Sequence, residues 1–221
     1  MVRMAEKSDM PAVRALWQAR FGDDDAFCDF FFTHRASPET TVVYDEGGKI
    51  SSALHILPDL VRIRTQAVRA AMLCGVATDK AFEGQGRMGA CLRYAMRALA
   101  RTDCALLVQK PVDFAIYRNF GFSPVSDSLY FTLTSADPAA FLPEYSVYES
   151  HEADKAAELC RGIYPAFSAD YSTIGLRDAQ KQTIKCMDYF AEPVSRLFSA
   201  GSIYAFVEPE SDTRRETGSA K

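Results

Sequence analysis

The residues whose types and spacing could do chemistry are concentrated in Gly84-Gln85-Gly86-Arg87-Met88-Gly89. Three glycines in six positions let the backbone come close to a guest, because no Cβ stands in the way. From Gly86 onward Met88, Cys91, Leu92, Ala95, Met96 and Leu99 recur at steps of three and four, the apolar stripe of an amphipathic helix. The glycines therefore precede a helix N-terminus, where backbone N–H groups lack intrahelical partners and the helix dipole favours negative charge. A phosphate is the expected guest, held by main-chain amides with the Arg87 guanidinium beside them.

The same residues satisfy the dinucleotide fingerprint G-x-G-x-x-G. That fingerprint places its first glycine almost directly after a strand and an acidic residue about twenty positions on, closing the next strand. Here Thr78 to Glu83 intervene, and Asp103 precedes the next apolar run, Cys104 to Val108, instead of following it. The pattern argues against a nicotinamide or flavin nucleotide.

Other groups with chemical potential are fewer. Asp23-Asp24-Asp25 has two readings, capping of the helix that follows or attraction of a cationic amine. His55, in an apolar strand, is a candidate base. Cys91 lies on the apolar stripe, which predicts burial rather than nucleophilic work. Tyr117 falls on a helical face with Phe114 and Phe120, a core pattern on spacing alone. The three histidines and six cysteines contain no C-x-x-C pair and no metal-ligand spacing, so no metal and no disulfide framework are expected.

Composition narrows the classes. The chain has 221 residues, is 48% apolar and 24% charged, and carries a net charge of −4, ordinary values for a globular protein with one large or two small domains. That acidic balance disfavours nucleic acid, and the row Arg93, Arg97, Arg101 reads as a solvated helix face. No apolar run approaches membrane-spanning length, and Met1 to Lys7 lacks a secretion signal, so no membrane partner and a cytoplasmic location are expected.

The elements that must hold these groups read as follows. Val2 to Ala5 is a short strand, and Ser8 or Asp9 caps a helix with Met10, Val13, Leu16 and Trp17 on one face, ended by Gly22. A second, aromatic-rich helix carries Phe27, Phe30, Phe31 and Phe32. Thr40 to Tyr44 and Ile50 to Leu60 form a hairpin about Gly47-Gly48, and Val61 to Met72 adds an extended pair about Arg64-Thr65-Gln66. Strand Ala70 to Thr78 contains Gly75, which predicts a bulge or a close backbone approach, by a ligand or by packing. Cys104 to Val108 is a buried strand, Pro111 opens a helix stopped by Gly121, and Leu129 to Thr134 is a final strand.

The order strand Val76-Ala77-Thr78, spacer, Glu83-Gly84-Gln85-Gly86-Arg87-Met88-Gly89-Ala90, amphipathic helix resembles the acetyl-CoA pyrophosphate loop of the GNAT acyltransferases. Phe114-Ala115-Ile116-Tyr117-Arg118-Asn119-Phe120-Gly121-Phe122 resembles that family's second signature, a tyrosine followed by an aromatic-Gly-aromatic turn. Met88, where the family usually has its second glycine, resembles the Eis-like branch. The position usually held by Arg or Gln is Glu83, a negative charge at the edge of an anion site.

The resemblance implies an α/β (α+β) GNAT fold, a mixed central sheet flanked by helices, in which a bulged strand splays from its neighbour and the pantetheine arm of CoA lies in the gap. It implies an N-acetyltransferase using acetyl-CoA as co-substrate and a small-molecule or peptide amine as acceptor. It assigns Val76, Ala77, Thr78, Gly84, Gln85, Gly86, Arg87, Met88 and Gly89 to the cofactor and Tyr117 to the proton for the departing thiolate. A degenerate module that binds CoA or a partner without catalysis is the alternative.

The resemblance covers residues 1–135. Pro138 and Pro143 mark a linker, 136–151. Residues 152–207 read as helices Ala153 to Cys160 and Leu176 to Tyr189 and a strand pair, Val194 to Ser199 and Ile203 to Val207, which resembles the opening of a second GNAT half. Its open sheet edge is expected to pair with a second copy as a homodimer. The polar tail, 208–221, is expected to be disordered.

Overall fold

The structure, a computed structural model, describes residues 1–108, 111, 113–124, 146–191, 196–200 and 203–207. The expected strand Leu129 to Thr134 and tail 208–221 lie outside the described residues. The chain divides into two compact units, Met1–Lys110 with Ser168–Arg177, and Pro111–Phe167 with Asp178–Lys221.

In the first unit, strands β1 (Val2–Met4), β2 (Thr41–Asp45), β3 (Ile50–Ile63), β4 (Gln66–Thr78) and β5 (Leu106–Val108) lie side by side in chain order. All pair antiparallel except β4 with β5, whose parallel pairing makes the sheet mixed. Helices α1 (Met10–Phe21), α2 (Asp25–His34) and α3 (Arg87–Leu99) complete the unit.

Strand alternation assigns the helices to faces. Ala53 is buried with Val13, Leu16, Val43, Ile50 and Ala77, on the side of α1. Ser52, one residue earlier, points the other way and bonds the Cys91 thiol of α3. Covered on both faces, β3 is buried without interruption from Ile50 to Leu57, which explains its run of consecutive small and apolar residues. On α3 the predicted stripe holds, with Cys91, Leu92 and Ala95 fully buried at its centre and Gly89 buried beneath it.

Several boundaries differ from those read in the sequence. The segments read as 50–60, 61–72 and 70–78 are two continuous strands, β3 and β4, turning at Arg64, whose φ is 56°. The helix expected to open at Pro111 is one turn, α4 (Ala115–Arg118). Helix α5 (Ala153–Ala169) runs past Cys160 and through Pro165, and α6 (Ala179–Phe190) begins after the expected Leu176. Between them β7 (Thr173–Gly175) joins the first unit's sheet, pairing antiparallel with β3 over Val61 to Ile63. Three residues without alternation carry no strand signal of their own, and the exposed edge of β3 supplies the partner.

In the second unit, β6 (Ser146–Tyr148), β8 (Arg196–Ala200) and β9 (Ile203–Val207) form a sheet in the order β6-β8-β9. Residues 146–148 fall in the stretch expected as linker. Ala156, Ala157 and Cys160 of α5 pack with Cys186 and Phe190 of α6 and Leu197 of β8 in that unit's own core.

Candidate active site

The glycine loop is built as its residues predict. Gly84 and Gly86 have φ of 70° and 78°, and Gly86 is the N-cap of α3 in the left-handed region that a Cβ makes costly. Ala90 N is the first amide to bond back into the helix, to Gly86 O at 3.0 Å. No side chain caps the helix. Among the described residues, the amides of Gly84, Gln85, Gly86, Arg87, Met88 and Gly89 meet no main-chain acceptor outside the helix. A ring of donors at the positive end of a thirteen-residue helix is what a diphosphate would need.

The loop is stapled at its rim. Asp79 accepts from Ala81 N at 2.9 Å, and Lys49 pairs with the same carboxylate at 2.9 Å, which holds the Asp79 carboxyl below its usual range. Gln85 Nε2 donates to Ala81 O at 3.1 Å. Glu83 pairs with Arg20 of α1 at 2.5 Å, so its negative charge is matched from outside the loop. Arg87 stacks over Tyr44 at 4.7 Å, and its Nε lies 2.5 Å from Glu46 Oε1 but out of line for a hydrogen bond, a charge contact.

Beside the loop, β4 carries the bulge that Gly75 predicts. Ala53 pairs with Ala77 and His55 with Cys74, so β4 has one residue more than β3 between them, and Gly75 has a φ of 56°. A close approach there is made by Trp17: a Cβ on Gly75 would lie 2.0 Å from Trp17 Cζ3. On the other edge β5 pairs only with Ala70 to Met72, and among the described residues no strand continues along Leu73 to Thr78. Val76 and Thr78 are half-buried and Ala77 is buried at the end of β4. Thr78 Oγ1 lies 3.0 Å from Ser52 Oγ, which donates to Ala77 O at 2.8 Å. Val76 to Thr78 and Gly84 to Gly89 thus share the first unit.

His55 is not placed to act as a base. Its side chain is fully buried, and desolvation lowers its pKa from 6.5 to about 4. The Thr41 hydroxyl donates to Ser37 O at 2.7 Å, so it can only accept from His55 Nδ1, 2.9 Å away, leaving Nε2 unprotonated and without a partner. The three aspartates are also engaged. Asp23 accepts from Trp17 Nε1 at 2.6 Å, Asp24 caps α2 through Phe27 N at 2.9 Å, and Asp25 meets Gln18 at 2.8 Å and Arg14 at 3.2 Å. This favours the capping reading over the amine trap. Burial pushes the Cys91 thiol up to about 11, as expected of a core cysteine.

Tyr117 belongs to the second unit, on α4. It is buried, its ring meets Phe122 edge-on at 5.9 Å, and burial raises the phenol pKa. Two residues at the site escape motif reading, Ser52 and Trp17. The signals were a serine pair in an apolar strand and the lone tryptophan on the buried stripe of α1.

A family description, the acetyltransferase (GNAT) domain, matches residues 1–125, and the chain belongs to this family. No curated protein matches the chain significantly. Among solved structures, a GCN5-related N-acetyltransferase from Kribbella flavida is similar over 96% of this chain and 54% of its own, at 14% identity and a TM-score of 0.61. A second, from Anabaena variabilis, is similar over 54% of this chain and 30% of its own, at 18% identity and a TM-score of 0.51. A GNAT family acetyltransferase from Brucella melitensis, in complex with acetyl-CoA, shares 22% identity over 56% of this chain and 82% of its own, with a TM-score of 0.48. This chain spans about a third of the length of the Anabaena protein and about half that of the Kribbella protein. The Kribbella and Anabaena likenesses identify the GNAT fold, a mixed sheet with helices on both faces.

Proposed function

We propose that the chain is an acetyl-CoA-dependent N-acyltransferase that moves an acetyl group to a primary amine of a small molecule or peptide. The observation that carries this reading is the row of amides from Gly84 to Gly89, open at the start of α3 beside a strand edge with no described partner beyond Met72. These amides would hold the pyrophosphate, with Val76, Ala77 and Thr78 along the pantetheine arm. Acetyl-CoA would supply the activated acyl thioester.

On this reading the neutral amine attacks the thioester carbonyl, and the Val76 amide on the bulged strand stabilises the oxyanion. The carbon–sulfur bond breaks and the CoA thiolate takes up a proton, the role that the family resemblance assigns to Tyr117. Burial raises the pKa of that phenol and keeps it protonated at neutral pH, so the thiolate would accept its proton only along a short hydrogen bond. Strand β4 holds no carboxylate or imidazole, so it supplies no side-chain base for the amine. We propose in addition that β9, an edge of the second sheet among the described residues, pairs with a second copy.

Titration calorimetry with acetyl-CoA, followed by an amine panel read by free-thiol release, tests the reading. Saturable heat and thiol release with at least one amine are expected. No heat and no thermal shift at millimolar acetyl-CoA overturns it.

A further inference from the structure

Trp17 is the single tryptophan of the chain, and it sits on the irregular point of β4. A Cβ on Gly75 would stand 2.0 Å from Cζ3 and 2.7 Å from Cε3 of the indole, and 2.9 Å from Cδ2 of His55. With φ at 56°, the Gly75 backbone already occupies a conformation that L side chains avoid. Indole and bulge are therefore interlocked, and neither shifts without displacing the other.

The indole is held from behind as well. Its Nε1–H donates to Asp23 Oδ2 at 2.6 Å, in the connection between α1 and α2. Phe31 lies 4.3 Å from it, Phe21 meets it edge-on at 4.9 Å, and His55 stands at 5.5 Å. His55 is itself pinned through Nδ1 to Thr41. Across the strand, β5 pairs with Ala70 to Met72, and among the described residues no strand pairs with the bulge on that edge. Among the described residues, the peptide between Gly75 and Val76 is therefore flanked by β3 and by Trp17.

We propose that Trp17 is a positioning residue for acyl transfer: by pressing on Gly75 it sets the direction of the Val76 N–H, and through Asp23 it ties that direction to the α1–α2 connection. This rests on the acetyl-transfer reading above, in which the Val76 amide meets the thioester oxygen. A donor aimed at a developing oxyanion works only when its geometry is held before reaction, so a small rotation of this peptide is felt in turnover. On that reading the other end of the coenzyme is held by main-chain amides of Gly84 to Gly89, so acetyl-CoA affinity is read separately from turnover.

The test compares Gly75→Ala, Trp17→Phe and Asp23→Ala with the wild-type chain in kcat, in acetyl-CoA affinity by calorimetry, and in thermal midpoint. Gly75→Ala is expected to lower kcat roughly tenfold or more, and Trp17→Phe and Asp23→Ala roughly threefold or more, with acetyl-CoA affinity kept within about threefold. Trp17 emission is expected to change on addition of acetyl-CoA to the wild-type chain and on mutation of Asp23. Asp23 is half-buried at a helix connection, so its variant serves where Gly75→Ala fails to fold. If Trp17→Phe and Asp23→Ala lower the thermal midpoint but leave kcat unchanged, the residue is structural only and the proposal is overturned while the transferase reading stands. If the wild-type chain binds no acetyl-CoA, both fall together.

Discussion

Arg20 Nη2, near the end of α1, lies 2.5 Å from Glu83 Oε1 at the entrance of the glycine loop. The pair joins the helix that supports the bulge to the loop that opens α3, and it offsets the charge of Glu83 beside a row of unpartnered amides. Both side chains are partly exposed, so its contribution to stability is small. Its effect belongs instead to the local field. Glu83→Gln removes one negative charge from the loop and frees Arg20 from its ion pair, and acetyl-CoA should bind about two- to fivefold tighter at low salt, the gain vanishing near ~0.5 M salt. Calorimetry at two salt concentrations measures this; unchanged or weaker binding at low salt contradicts it.

Gly86 stands at φ 78° with open space where a Cβ would go, so Gly86→Ala meets strain rather than collision. The strain costs about 1 kcal/mol of stability, and the methyl group obstructs the main-chain approach to phosphate. Acetyl-CoA affinity should fall roughly tenfold or more, out of proportion to the shift in a urea unfolding midpoint. Equal, small losses in both would show that the loop is merely a turn.

Tyr117→Phe removes a proton donor and keeps the ring that packs on Phe122. Turnover should drop roughly tenfold or more with acetyl-CoA affinity unchanged, the split expected of a group used after binding. A variant with wild-type kcat removes Tyr117 from the proton path.

The groups around the His55 ring are the Thr41 hydroxyl and the rings of Trp17, Phe31 and Phe32, none of them charged. The folded protein therefore takes up the proton only near pH 4, whereas the unfolded chain does so near 6.5. Between those values the unfolded state holds more protons, so stability falls as pH drops from 6.5 toward 4, by up to about 3 kcal/mol. The lowered carboxyls of Asp9, Asp45 and Asp79 act in a different window, stabilising above their unfolded value of 3.8 and losing that contribution below it. Unfolding free energies of wild type and His55→Gln across this range should diverge between pH 4 and 6.5, and parallel curves would refute the assignment.

Cys28, Cys91, Cys160 and Cys186 are buried, and burial raises the thiol pKa of Cys28 and Cys91. Under native alkylation at neutral pH, mass spectrometry should find label first on half-buried Cys74 and Cys104. Early labelling of Cys91 would contradict the packing of α3 on β3.

Much of this site can be read residue by residue. Gly86 before an apolar stripe predicts an open helix start, and Gly75 within a strand predicts a bulge, because both rest on backbone preferences expressed within a few residues. The aspartates show where such reading stops. Capping and attraction of a cation were both open for their row; Asp24 caps α2 through Phe27 N as a local reading allows, whereas the partners of Asp23 and Asp25, Trp17, Gln18 and Arg14, come from α1. Strand β7 was equally hidden, because what makes Thr173–Gly175 a strand is the edge of β3.

By itself the amino-acid sequence determined the glycine turn, the stripe of α3, the bulge at Gly75 and the family signatures, since periodicity and glycine's freedom act along the local chain. Tertiary structure alone decided that Trp17 fills the space beside Gly75, that Arg20 cancels Glu83, and that His55 is sealed and neutral. Each depends on segments distant in sequence meeting across a packed sheet, where burial and charge are properties of the neighbours and not of the residue.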